Sequence, residues 1–340
     1  MTSMPAQAAP WLSLILPVYK VEAYLQACAD SILQQADEGV ELIFVDDASP
    51  DASSALIEAL QARHPQQIRL IRHAQNQGLS AARNTGLAAA QGSYVWCVDP
   101  DDLMEPGVLP RLKALIEGPA TQGLDLLLCD FRSFDDGQTQ SKPKYAHVST
   151  FAGPSNSLQT DTEALLTGMF AQGQFHAWTK IVRRAAWPQD LRFPVGKAFE
   201  DLAVYPRLAL TAQRWMHVNE VWMAYRQRPG SILSSLNASK LEDWMSALVG
   251  LPKALRAPGL SFSPQGLLLI AHFCARTFVR VCKRRTKLRD ADAGKALKRF
   301  ARQFAASSPI APQELLRSYL KTGRLLRFLQ LRYWLNRATG

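Results

Sequence analysis

Apolar runs of strand length and apolar residues at helical spacing take turns through the first 130 residues. Trp11 to Val18 (WLSLILPV) is apolar at nearly every position, as in a strand buried on both faces. Pro17 is expected to end that strand and turn the chain. From Glu22 to Gln35, Tyr24, Leu25, Cys28, Ile32 and Leu33 recur at helical spacing. Glu41 to Val45 reads as a second strand closing on Asp46-Asp47. Ala48-Ser49-Pro50-Asp51 is turn chemistry opening a helix over Ala52 to Arg63. Ile68 to Ile71 is a third strand, Gly78 to Ala90 a helix, and Tyr94 to Val98 a fourth strand ending at Asp99-Pro100-Asp101-Asp102. A helix over Val108 to Glu117 and a strand over Leu124 to Phe131 follow. Residues 132–160 are polar and patternless and read as loop. Asp161 to Phe170 reads as a helix, and the chain after Pro264 is helical and basic to the end.

Alternating strands and helices imply βαβ crossovers and an α/β fold around a mostly parallel sheet. In such sheets ligands lie beyond the carboxyl ends of the strands. The polar clusters at Pro17–Tyr19, Asp46–Asp47 and Asp99–Asp102 all fall at strand carboxyl ends and are expected to meet in one crevice.

Charge changes the picture of the far end. The whole chain of 340 residues has a formal charge of +10, but residues 276–340 hold 17 Lys+Arg against three acids, a balance of +14. The first 275 residues therefore stand at −4. A nearly neutral body with a basic tail suggests a polyanionic partner for the tail alone. Helical stretches such as Phe273 to Arg285 and Leu325 to Arg337 mix aromatic and aliphatic residues with Arg and Lys. They suit either an amphipathic contact with anionic membrane or a helical subdomain packed on the core, and the sequence leaves both open. No nucleic-acid-binding motif accompanies the charge, so no nucleic-acid partner is expected. Five widely spaced cysteines with no C-x-x-C argue against a disulfide framework or structural zinc. With no evident targeting segment, a cytoplasmic location is expected, with a peripheral position on the inner face of the membrane left open.

Several clusters carry candidate chemistry. Asp99 and Asp101, two apart at the end of a buried strand, can hold one hard cation such as Mg2+ or Mn2+ beside a diphosphate; an acidic helix cap is the rival reading. Asp46 and Asp47 can accept hydrogen bonds from a base or ribose, or can simply cap a helix. Tyr19 on a rigid turn can stack on a base, and Arg83 near a helix start can meet phosphate. Glu200-Asp201 sets two acids inside an apolar stretch, where one can act as general base. Arg226 and Arg228, ahead of Pro229-Gly230, offer guanidinium groups to a diphosphate from a loop expected to move. The glycine signatures of dinucleotide-binding and P-loop enzymes and the G-x-S-x-G of α/β-hydrolases are absent.

In order and spacing, Leu14-Ile15-Leu16-Pro17-Val18-Tyr19 with Glu22, Val45-Asp46-Asp47-Ala48-Ser49-x-Asp51, Asn76-x-Gly78-Leu79-Ser80-Ala81-Ala82-Arg83-Asn84 and Asp99-x-Asp101-Asp102 resemble glycosyltransferase family 2. Trp178-x-Lys180, Glu200-Asp201 and Tyr225-Arg226-x-Arg228 look like its bacterial surface-polysaccharide branch, and the likeness fades after about residue 235. The resemblance implies a GT-A fold, a UDP-sugar donor, a divalent cation and inversion at the anomeric carbon. It implies that Pro17, Tyr19, Glu22, Asp47 and Arg83 bind the nucleotide, that Asp99 lies by the ribose, that Asp101 reaches the metal and that Asp201 is the catalytic base. The acceptor would be a saccharide, free or lipid-linked. The implied organisation is a flexible stretch over 1–10, a GT-A domain over 11–235 with a nucleotide half (11–130) and an acceptor half (131–235), and a basic helical region over 236–340. Gln213-Arg214-Trp215 lacks the Q-x-x-R-W spacing of processive synthases, so a single-addition transferase is expected. A nucleotidyltransferase on a related fold and a non-catalytic polyanion-binding module are the rival classes.

Overall fold

The computed structural model describes residues 9–228, 236–288 and 292–339. Its centre is an eight-stranded sheet in the order β3-β2-β1-β4-β7-β6-β8-β5. The strands are β1 (Leu12–Val18), β2 (Val40–Asp46), β3 (Ile68–Arg72), β4 (Tyr94–Cys97), β5 (Leu103–Met104), β6 (Leu126–Asp135), β7 (Lys180–Arg183) and β8 (Trp215–Gln227). The four strands of the first half are parallel, joined by α1 (Glu22–Leu33), α2 (Ser53–Arg63) and α3 (Leu79–Ala89). Beyond β4 the sheet is mixed: β7 runs antiparallel to β4 and β6, whereas β6 and β8 are parallel. β7 and β8 are absent from the sequence-based expectation, because the four residues of β7 are too few for a period to show.

β1 shows how one strand serves two cores. Leu12, Leu14, Leu16 and Val18 pack with Leu25 and Ile32 of α1 and Ile57 and Leu60 of α2. Ile15 packs on the opposite face with Ala82 of α3. Period-two alternation with apolar residues on both sides is what a sheet covered on both faces demands. Contrary to expectation, Pro17 does not end the strand. Pairing with β2 runs on to Val18↔Asp46, while pairing with β4 stops at Ile15↔Cys97. The Val18 carbonyl accepts from the Asp47 amide on the β2 side, so the nitrogen of Pro17 points to the side that β4 has left, where no donor is needed.

On the second face, α3, α5 (Thr162–Gln172) and α6 (Glu200–Ala209) are joined by the C-terminal helices. These are α7 (Ala238–Ser246), α8 (Leu251–Ala254), α9 (Pro264–Lys287), α10 (Ala293–Ser307), α11 (Pro312–Lys321) and α12 (Leu325–Thr339); α4 (Val108–Glu117) covers the first face. One continuous apolar cluster runs from Ile15 and Ile43 in the sheet to Trp334 and Ala338 in α12. Phe170, Phe175 and Phe273, with centroids 5.1–5.6 Å apart, tie α5 to α9. The basic region is thus built onto the core. Among the described residues α9 is the one helix long and apolar enough to cross a membrane, and half of its apolar stretch is buried in this bundle.

Candidate active site

Turn geometry at the strand ends opens a cleft of about 470 Å3. Lys20, Ala48 and Phe199 hold positive φ without being glycine, at 56°, 54° and 59°; Phe199 lines the cleft, and Lys20 and Ala48 directly follow the lining residues Tyr19 and Asp47. Such backbone is uncommon outside Asn, Asp and Gly, and it persists where neighbouring contacts fix it. Here Ser49 Oγ accepts from the Lys20 amide at 2.8 Å, and Asp46 accepts from the Ser49 amide at 2.9 Å. Phe199 stacks on Trp244 with centroids 4.6 Å apart.

Pro17, Tyr19, Asp47, Arg83, Asp99, Asp101, Asp201, Arg226 and Arg228 all line this cleft. Residues up to 211 positions apart in the chain therefore share one wall. Glu22 and Asp46 stand outside that wall. Glu22 accepts from the Ala52 amide at 2.6 Å and so ties the start of α2 to α1, while Asp46 shapes the turn before Ser49. Asp47 lines the cleft with its oxygens already engaged, by Gln77 N (2.9 Å), Gly78 N (2.7 Å) and His73 Nδ1 (2.6 Å). It thereby fixes the N-terminus of α3, whose free amide ends face the cleft and suit an anion.

Arg83 is the centre of the charge network. It is 2% exposed and bridges Glu200 Oε1 (2.6 Å) and Asp99 Oδ1 (2.7 Å), joining α3, the end of β4 and α6. Burial pushes the Glu200 carboxyl up to about 7, against the pull of Arg83. Burial also raises the Asp201 carboxyl. One Asp201 oxygen accepts from the Leu202 amide at 2.7 Å, and the other lies 3.9 Å from His176 Nδ1. Burial and the nearby Lys180 charge lower His176 to about 4, so this ring is neutral near pH 7. His176, Trp178 and Tyr225 cluster face to face, with centroids 4.7–6.0 Å apart, and the edge of Phe131 meets Trp178 at 4.8 Å. Lys180 lies beneath, fully buried, donating to the carbonyls of Gln174 (2.7 Å) and His176 (3.1 Å) and to Thr179 Oγ1 (2.7 Å). Trp178 and Tyr225 were legible only through the family resemblance, and Glu200 as one of two acids inside an apolar stretch; His176, one of six scattered histidines, carried no signal at all.

The residues can accommodate a cation in one way. Among the described residues no three His, Cys, Asp or Glu side chains are gathered for a metal. Asp99 and Asp101 both open on the cleft, and burial together with the Asp99 charge raises the Asp101 carboxyl. Two crowded carboxylates fit a hard cation that takes its other ligands from diphosphate and water. Asp101 instead pairs with Arg228 Nε at 2.6 Å, so that guanidinium would have to give way. Asp102 does not reach the cleft. One of its oxygens accepts from the Arg226 amide at 2.8 Å, and burial raises its carboxyl well above the usual range. The Pro229-Gly230 loop lies outside the described residues. All five cysteines are free and buried.

The family model "Glycosyl transferase family 2" matches residues 13–182, half the chain, including β2, β3 and β4 and all of β1 but Leu12. The chain belongs to glycosyl transferase family 2. Among relatives of this family 2 chain, Streptococcus pneumoniae glycosyltransferase GlyA is 32% identical over 249 residues, 70% of this chain and 33% of that protein. The uncharacterized Bacillus subtilis glycosyltransferase EpsJ is 31% identical over 231 residues, 66% of this chain and 63% of that protein. The chain thus spans a third and less than two thirds of their respective lengths. The crystal structure of S. aureus TarS in complex with UDP-GlcNAc superposes with a TM-score of 0.70 at 21% identity, over 96% of this chain and 91% of that one. That likeness establishes the GT-A type of fold, C-terminal helices included.

Proposed function

We propose that the cleft transfers a sugar from a UDP-sugar to an acceptor hydroxyl by a single inverting displacement, in the assembly of a bacterial surface polysaccharide. The observation that carries this reading is the position of Asp201. It lines the donor cleft and also a second cavity, of about 280 Å3, on the α6–α9 side. A base at that junction can take the proton from an acceptor oxygen entering on one side while the sugar–diphosphate bond breaks on the other. No covalent enzyme intermediate is then needed. The base for the acceptor and the donor site belong to one wall, so the reaction is brought together by positioning.

Tyr19, 41% exposed at the mouth, offers a face to the uracil. Arg226 and Arg228 meet the diphosphate, together with the amide ends of α3. Asp99 and Asp101 would hold a Mn2+ or Mg2+ ion, which supplies charge neutralisation to the departing diphosphate. Arg83 keeps Asp99 and Glu200 in place and so sets the approach of Asp201. TarS, the superposable neighbour, was crystallised with UDP-GlcNAc, which supports a UDP-sugar donor here. The reading includes peripheral contact with an anionic membrane through α12. Leu325, Leu326, Leu329 and Tyr333 are exposed there at helical spacing, among Arg324, Arg327 and Arg332.

A thermal-shift screen of nucleotide-sugars with and without manganese tests the proposal. A true donor raises the melting temperature by mass action, more so with the cation. No shift with any UDP-sugar would contradict it.

A further inference from the structure

A groove of about 420 Å3 lies between α9 and α12, closed at one end by Tyr319 of α11. α9 presents Arg276, Arg280, Lys283, Arg284 and Lys287 to it, and α12 faces them with Arg327. Among the described residues no acidic side chain lines the groove. Among the described residues none of these six cations pairs with a carboxylate. His272 Nδ1 is held by the Tyr319 hydroxyl at 2.7 Å, while its Nε2 is buried without a partner. A solvated basic helix would spread its charges into water; here six of them converge on one concavity, at a Coulombic cost that a bound anion removes.

The groove connects with the reaction site. Arg276 and Arg280 line it and also the second cavity, and that cavity shares His176, Phe199 and Asp201 with the donor cleft. The stacked rings of Phe199 and Trp244 line that second cavity together with Asp201, and the Arg280 guanidinium lies 5.7 Å over Trp244. Aromatic faces suit sugar rings, and clustered guanidinium and ammonium groups suit phosphate.

We infer that the acceptor is a phosphate-bearing saccharide, its reacting hydroxyl at Asp201 and its phosphate in the basic groove. The inference rests on the transfer reading above and adds the substrate class. The phosphate can belong to the glycan itself or to its link to a lipid carrier; the chemistry at the groove is the same.

The test begins with the full chain saturated with UDP, titrated calorimetrically with inorganic pyrophosphate. One further pyrophosphate site is expected. Lys283→Glu with Arg284→Glu should weaken it by about tenfold or more, since charge-assisted contacts to phosphate are the strong ones, while UDP affinity stays unchanged and so reports an intact fold. The milder pair Lys283→Gln with Arg284→Gln should give a smaller loss in the same direction. Pyrophosphate binding that UDP abolishes, or that both variants retain, overturns the inference. Transfer assays with glycerol-phosphate oligomers in solution and with vesicles carrying polyprenyl-diphosphate-linked N-acetylglucosamine separate the two sources of phosphate. The groove variants should raise KM for whichever is used and leave KM for a phosphate-free saccharide unchanged. Asp201→Asn keeps the two proposals apart. Full turnover in that variant ends the transfer reading, whatever the groove binds.

Discussion

At the residue scale the account turns on one guanidinium. Arg83, itself almost fully buried, holds two carboxylates from distant parts of the chain, Glu200 buried and Asp99 open to the cleft. Removing it leaves Asp99 and Glu200 without their shared partner. Breaking a buried ion pair costs about 3–5 kcal/mol, so Arg83→Ala should lower the free energy of unfolding by that order in urea titration. Arg83→Lys should recover only part of the loss, because one ammonium cannot span both acids as a planar fork does. Titration gives a second expectation. Burial raises the Asp201 carboxyl, so kcat/KM should climb with pH along a limb lying above the ordinary carboxylate value of about 3.9. Glu200 holds its proton more tightly folded than unfolded. Its contribution to stability is therefore fully present below about pH 4.3, the unfolded value, and is lost as pH rises toward about 7, the folded one. Urea midpoints between pH 4 and 8 in wild type and Glu200→Gln would show that slope and its removal. Asp47, Asp99 and Asp101 were legible in the sequence because each follows an apolar strand. Their pairing with Arg83, Arg228 and backbone amides was not, since it depends on residues 16 to 127 positions away.

At the element scale, the site exists because α3 lies very close to β1. A Cβ on Gly86 would stand 2.3 Å from Ile15 Cγ2. Gly86→Ala must push the helix outward, at a cost of about 1–3 kcal/mol for overpacking, and must displace Arg83 one turn away. Chemical denaturation should register the cost, and UDP affinity should fall with it. Lys180 does the corresponding task for the 174–179 segment, which carries His176 and Trp178 into the cleft. Lys180→Met keeps most of the side-chain volume but strands two carbonyls, at about 1–3 kcal/mol each. Acceptor KM should therefore rise more than donor KM. The parallel half of the sheet was readable from hydrophobic period because β1, β2 and β3 are each followed by a helix. β8 escaped because Trp215–Gln227 mixes apolar with polar residues, Asn219, Glu220 and Arg226 among them, and runs along the irregular partner β6. The strand expected to stop at Pro17 continues, for a reason only the register reveals.

At the scale of the whole molecule, a family 2 core and a basic helical region share one hydrophobic interior. The sequence left open whether that region packs on the core or meets a membrane. The fold shows the packing directly, while the exposed leucines of α12 and the groove beside them leave surface for a partner. Charge asymmetry was visible from composition, but its convergence on a concavity connected to Asp201 required three dimensions. The central claim is that distant acidic residues form one reaction site with Asp201 as its base. The most direct measurement compares wild type with Asp201→Asn, using the nucleotide-sugar that stabilises the protein most. The account predicts that kcat falls by about 10²–10⁴, the usual contribution of a general base, while the Kd for UDP changes less than about twofold, because the base acts in the transition state. Turnover within a factor of about two of wild type, with UDP bound as before, would contradict it.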